Sequence, residues 1–116
     1  MKHNYEKLKI WNDGLTLATT LFKITMQLPV EEKFGLINQM RRAAYSDPSN
    51  IVEGASRSTN KSFGQFLSIA LGSLAELHTQ MLICHSVGYL NEDMTTQTVK
   101  EIVKQKNAIR KFQDTL

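Results

Sequence analysis

The chain has 116 residues, 41% of them hydrophobic, and a formal charge of +3 from 14 Lys and Arg against 11 Asp and Glu. That suffices for one core in a single domain, residues 1–116, without metal or cofactor, and the lone Cys84 excludes an internal disulfide. The opening Met1-Lys2-His3-Asn4-Tyr5-Glu6 has no apolar signal core, and no stretch reaches the roughly 20 uninterrupted apolar residues of a membrane span, so a soluble cytoplasmic protein with no membrane contact is expected.

From Tyr5 to Gln27, Leu8, Trp11, Leu15, Ala18, Phe22 and Met26 recur at steps of three and four, which places them on one face of an amphipathic helix ended by Pro29. Gly14 inside that pattern costs about 1 kcal/mol relative to alanine, so either a close neighbour or a local bend is expected there. A second helix begins near Glu31 and Glu32, whose charges suit the positive end of a helix dipole. Its apolar line runs through Leu36, Met40, Ala43, Ala44, Ile51 and Ala55 to about Arg57. Pro48 lacks a backbone N–H and its ring crowds the preceding turn, so a kink or break is expected at Ser46 to Pro48, with Asp47 as N-cap of a renewed helix.

Asn60 to Val87 forms the longest and most apolar helix, with Thr59 as its cap. Between Ser58 and Leu90 only Lys61 and Glu76 are charged, and the apolar residues point in nearly every direction. One small bundle cannot bury them all, so a homo-oligomer is expected. Gly64, Ser68, Gly72 and Ala75 add a small-residue ridge for close helix approach, and Gly88-Tyr89-Leu90 reads as a glycine stop. The last helix opens at Asn91, Glu92 and Asp93, with Val99, Ile102, Val103, Ile109 and Phe112 as its core line. Lys100, Lys104, Lys106, Arg110 and Lys111 occupy the other face, where they serve the helix dipole or a polyanion.

Catalytic signatures are missing: there is no glycine-rich phosphate loop, no nucleophile elbow and no Glu-x-x-His pair. His78 and His85 share a helix face but lie about 10 Å apart along its axis, too far to ligate one metal ion unaided, so partly buried, hydrogen-bonded histidines are expected. The densest polar chemistry surrounds Pro48. Arg41, Arg42, Asp47, Asn50, Glu53 and Arg57 are expected to satisfy one another around the kink or at a subunit interface; an arginine surface for phosphates is the alternative.

The run Glu32-x-Phe34-Gly35-Leu36-x-x-Gln39-Met40-Arg41-Arg42-Ala43-Ala44-x-Ser46-x-Pro48-Ser49-Asn50-Ile51-x-Glu53-Gly54-x-x-Arg57 resembles the signature of the small proteins encoded by intervening sequences in large-subunit ribosomal RNA genes. Phe66-Leu67-x-Ile69-Ala70-x-Gly72-Ser73-x-x-Glu76-Leu77 extends the likeness, as do Trp11 and Gly88-Tyr89-Leu90. The resemblance implies an all-α, antiparallel up-down four-helix bundle assembled as a homopentamer. It also implies kinship with the accessory variability determinant of diversity-generating retroelements, which binds nucleic acid and its reverse transcriptase. Asp47 and Val52 depart from the pattern, which usually has Ile or Val and Ala there. The expected function is a non-enzymatic scaffold that touches RNA or DNA through Lys7, Lys9, Lys23, Lys100, Lys104, Arg110 and Lys111. A protein-interaction module, with a partner such as a reverse transcriptase, is the alternative.

Overall fold

The computed structural model describes residues 3–116. Four helices follow one another: α1 Lys9–Thr25, α2 Leu36–Ala55, α3 Asn60–Ser86 and α4 Glu92–Asp114. Short 3-10 turns occupy Tyr5–Lys7 and Val30–Glu32. The helices run up and down in an antiparallel bundle of 46 × 25 × 20 Å. Consecutive helices pack closely, α2 against both α1 and α3, whereas α4 leans on α3 and meets α1 only lightly.

Local chemistry sets the helix ends. Thr59 Oγ1 accepts from Ser62 N at 3.1 Å and Asn91 Oδ1 from Met94 N at 2.8 Å, so α3 and α4 each begin on a side-chain cap as expected. The far end of α3 closes on Gly88 at φ 87°, with Tyr89 N donating to Cys84 O at 2.8 Å and Gly88 N to His85 O at 3.1 Å. The first two helices start later than the apolar spacing suggests. Tyr5–Lys7 is a separate 3-10 turn, and Val30–Glu32 is another, so the acids at 31 and 32 precede α2 rather than open it.

The inaccessible core joins Leu21, Met40, Ile51, Phe63, Leu67, Leu74, Leu77, Met81, Ile102 and Ile109. Each such side chain contributes about 1.5–3 kcal/mol through removal from water. Along α1 the buried stripe is Ile10, Gly14, Leu17, Ala18, Leu21 and Ile24. The expected line was offset: Leu15, Phe22 and Met26 are exposed, because α1 carries two apolar stripes and the bundle uses the other one.

Helix α2 is the larger correction. It continues through Pro48 without a break, so Asp47 lies in the helix interior and caps nothing. The proline removes one helical hydrogen bond, at a typical cost of about 3 kcal/mol. Burial of Met40, Ala43, Ala44, Ile51 and Ala55 on both sides of it outweighs that loss. Helix α3 has the length and hydropathy of a membrane span, with 39% of its most apolar window buried, and a core helix passes the same test. Its stripe Phe63, Leu67, Ala70, Leu74, Leu77, Met81 and Cys84 faces the bundle.

Candidate nucleic-acid interface

The loose side of the bundle, between α1 and α4, follows from the composition of α4. Its inward stripe is Thr95, Thr98, Ile102, Gln105 and Ile109, in which three of five residues are polar. Such a stripe does not draw α4 fully onto α1, and a cleft of about 720 Å³ remains between them. Leu8, Ile10, Leu17, Ala108 and Phe112 contribute its apolar lining. Lys7, Lys9, Lys100, Lys104 and Lys111 also line it, against the carboxylates of Asp13 and Glu101. Five cations over two anions leave a surplus of three, equal to the net charge of the whole chain.

Most of those lysines are uncommitted. Lys9 pairs with Asp13, and Glu101 accepts from Gln97 Nε2 at 3.2 Å. Among the described residues Lys7, Lys100, Lys104 and Lys111 form no ion pair. An ammonium on a flexible stem is a strongly hydrated point charge, suited to phosphate oxygens in varied positions rather than to one fixed ligand. Five of the seven basic residues singled out from the sequence thus meet in one place. Lys23 and Arg110 are exposed but lie outside the cleft.

Beneath this cleft lies Asp47, with no accessible surface. Its two carboxylate oxygens accept from Gln105 Nε2 at 3.3 and 3.2 Å, and the same nitrogen donates to Ile10 O at 2.8 Å. A methyl at Gly14 would sit 3.0 Å from Asp47 Oδ2 and 3.3 Å from Gln105 Nε2, so the glycine is there to make room for the pair. Of the two explanations open for Gly14, the close neighbour holds. Burial pushes the Asp47 carboxyl up to about 7, only partly opposed by the Gln105 hydrogen bond. Gln105 Oε1 is buried without a partner.

The polar residues around Pro48 do not form one network. Arg41 turns to α1, where Nε donates to Thr25 Oγ1 at 2.8 Å and the guanidinium lies 4.9 Å from the Phe22 ring centre. Asn50 Nδ2 donates to Ser46 O at 2.8 Å and to Ser46 Oγ at 2.9 Å, and Ser46 Oγ meets Ser73 Oγ of α3 at 2.8 Å. Glu53 and Arg57 form an exposed pair at 3.4 Å. Arg42 is exposed and makes no ion pair with a described residue. The expected mutual satisfaction fails because residues three and four apart share a helix face, whereas Arg41, Arg42 and Asp47, which are one, five and six residues apart, face different neighbours.

His78 is half-buried, as expected, and His85 is exposed; neither has the expected hydrogen bond to a described residue, and the described residues hold no His, Cys, Asp or Glu cluster fit for a metal ion. Cys84 is buried against Met40 with its thiol pushed up to about 11, mainly by burial, so it is an inert core residue. Sequence reasoning missed Gln105 altogether. Its signal was its place in the series Thr98, Ile102, Gln105, Ile109, an amide at a core position of α4.

Comparison with known proteins bears on this arrangement as a whole. No curated protein matches the chain. The fold is similar to a solved structure of a protein of unknown function from the S23 ribosomal protein family of Bacteroides thetaiotaomicron, with a TM-score of 0.83 and 18% identity over 90% of this chain and 97% of that one. A family model described as 23S rRNA-intervening sequence protein matches residues 6–111. The chain belongs to the 23S rRNA-intervening sequence protein family.

Proposed function

We propose that the protein is a non-enzymatic, homo-oligomeric helical scaffold that holds the phosphate backbone of RNA or DNA in the α1–α4 cleft. The observation that carries this reading is the gathering of Lys7, Lys9, Lys100, Lys104 and Lys111 over an apolar floor, with the chain's entire positive surplus. Lysines in such a groove track a backbone without reading bases, so binding is sequence-tolerant and falls steeply with salt. Lys23 and Arg110 extend the positive surface outside the cleft. The test is a fluorescence titration with ribosomal RNA fragments and with duplex and single-stranded DNA at low salt. No binding to any of them removes the proposal.

Self-association is supported by surface left uncovered in one chain. Ile69, Leu82 and Ile83 of α3, and Val87 just after it, are 51, 48, 46 and 58% exposed, and nothing lies within 4 Å of a methyl placed on Gly72. A groove between α1 and α2 adds Trp11, Leu15, Phe22 and Tyr45. The family resemblance suggests five copies. Light scattering that returns a particle near 13.2 kDa at micromolar concentration would sink the oligomer.

One observation favours a protein partner as a second reading. The α1–α2 connection presents Met26, Val30 and Phe34 at 74, 76 and 87% exposure, the three most exposed large apolar residues described. A pull-down that survives nuclease and is lost in Phe34→Ser, with a reverse transcriptase among the baits, would support it.

A further inference from the structure

Asp47 and Gln105 are unusual together. Among the described residues, the only hydrogen bonds to the buried carboxylate come from one amide nitrogen, which is also committed to a carbonyl of a third helix. Gln105 therefore ties α4 to α2 through Asp47 and to α1 through Ile10 O, at the place where α1 and α4 otherwise barely touch. Gln105 also lines the cleft while being only 4% exposed. Its Oε1 lacks a donor, and the neighbouring carboxylate, when ionised, has none to offer.

We propose that Asp47 and Gln105 form a proton-dependent latch that sets the separation of α1 and α4, and with it the anion affinity of the cleft above. With Asp47 protonated, its hydroxyl supplies the donor that Gln105 Oε1 lacks, while Gln105 Nε2 still donates to the other carboxyl oxygen. A small rotation of either side chain completes a closed pair of hydrogen bonds, and α4 is held against α1. With Asp47 ionised, a buried anion faces a buried orphan carbonyl oxygen. Both are relieved only by water, and the route for water is the seam between α1 and α4 under the cleft.

No other charge governs this group. From α1 it meets Gly14, from α4 Gln105, and no ionisable residue of any helix adds to the effects of burial and the Gln105 bond on its titration. That exclusion covers Arg41, Arg42 and Glu53 on α2, Glu76, His78 and His85 on α3, and Asp13, Glu101 and Lys104 along the cleft. Its titration is centred near neutrality, so the latch changes state across the physiological range.

The cleft's response is read without nucleic acid, because the affinity part rests on the proposed function and the latch does not. Nuclear magnetic resonance titration follows the Asp47 carboxyl carbon, the Gln105 side-chain amide and the backbone amides of Thr16, Lys104 and Ala108, which line the cleft. In the wild type all move with one midpoint near neutrality. In Asp47→Asn, whose amide donates to Gln105 Oε1 as the acid does, the cleft signals stay at their acid-limit positions. Asp47→Leu serves as the second variant should asparagine prevent folding, and its cleft signals are equally flat. The latch is overturned if the carboxyl titrates while the cleft signals stay still, or if they move equally in the variant. Anisotropy with a polyuridine oligonucleotide then tests the consequence. Wild-type affinity falls about fivefold from about pH 6 to about pH 8 at ~0.1 M salt, the equivalent of one lost phosphate contact, beyond any change in Asp47→Asn. Equal pH dependence in both forms overturns the coupling. Absence of binding at every pH beside an intact resonance titration sinks the nucleic-acid reading and leaves the latch standing.

Discussion

Replacing Asp47 with asparagine removes the one carboxylate that the described bundle buries completely. In the unfolded chain that carboxyl titrates near 3.8, and in the fold near 7, because burial disfavours the anion and a single amide only partly compensates. The folded state therefore binds a proton that the unfolded state has already released throughout the interval between those values. Stability from this group is fully present below the unfolded value, falls as pH rises through the interval, and levels off above about 7. At about 1.36 kcal/mol per unit, the full interval is worth about 4 kcal/mol. Between about pH 5 and about pH 8, where other carboxylates stay ionised, the loss is about 3 kcal/mol, or roughly 10 °C in Tm for a domain of this size. Thermal melts by circular dichroism across that range measure it. Wild type loses stability with rising pH, whereas Asp47→Asn is nearly level and is the more stable form at the alkaline end. Parallel pH profiles for the two proteins would refute the reasoning, since the penalty would then lie elsewhere than in the buried anion.

Other sites give independent tests. Gly54→Ala puts a methyl 2.6 Å from Phe63 Cδ1 and 2.9 Å from Phe66 Cβ, and because Phe63 is fully buried the clash costs about 1–3 kcal/mol in a chemical melt. Asn91→Ala removes the cap on Met94 N and lowers stability by about 1 kcal/mol, with no change in the pH profile. If single-stranded nucleic acid occupies the cleft, Lys100→Gln with Lys104→Gln lowers the salt slope of binding by about 1.4, and Lys23→Gln, outside the cleft, leaves it nearly unchanged. Gly14→Ala destabilises the wild type by about 1 kcal/mol despite the better helix propensity of alanine, but stabilises an Asp47→Ala background by a similar amount, so a double-mutant cycle isolates the contact at 3.0 Å.

The parts of the fold that were legible in the sequence are those governed by local rules. The Thr59 and Asn91 caps, the Gly88 stop and the α2 core line through Met40, Ala44 and Ile51 depend on residues within a turn or two of one another. What was not legible depends on which of several acceptable neighbours a side chain meets. Helix α1 has two apolar stripes, and only packing against α2 and α4 selects Ile10, Leu17 and Leu21 over Leu15 and Phe22. Pro48 read as a kink or break because propensity penalises it, yet tertiary burial on both sides carries the helix through without the break. The basic cleft was half legible: the lysines were visible as a set, but the core line of α4 was read as Val99, Ile102, Val103, Ile109 and Phe112, whereas its buried stripe is Thr95, Thr98, Ile102, Gln105 and Ile109.

Gly14, Asp47 and Gln105 make the same point most sharply. Taken singly, each breaks a rule: a glycine inside a helix, a carboxylate on an apolar line, an amide at a core position. They lie on three helices, 33 and 58 residues apart along the chain, so no local pattern links them. In the fold they are one unit, in which the glycine vacates the space the carboxylate fills and the amide donates to it. An apolar residue at 47 would need neither the glycine nor the amide. The three departures are therefore expected to vary together: a chain with Ile or Val at 47 has no use for Gln105 as a donor, and alanine at 14 then costs nothing. Replacing all three at once should give a bundle more stable above neutral pH than the wild type, with its pH dependence gone, whereas any one replacement of the partners alone leaves the buried carboxylate worse served.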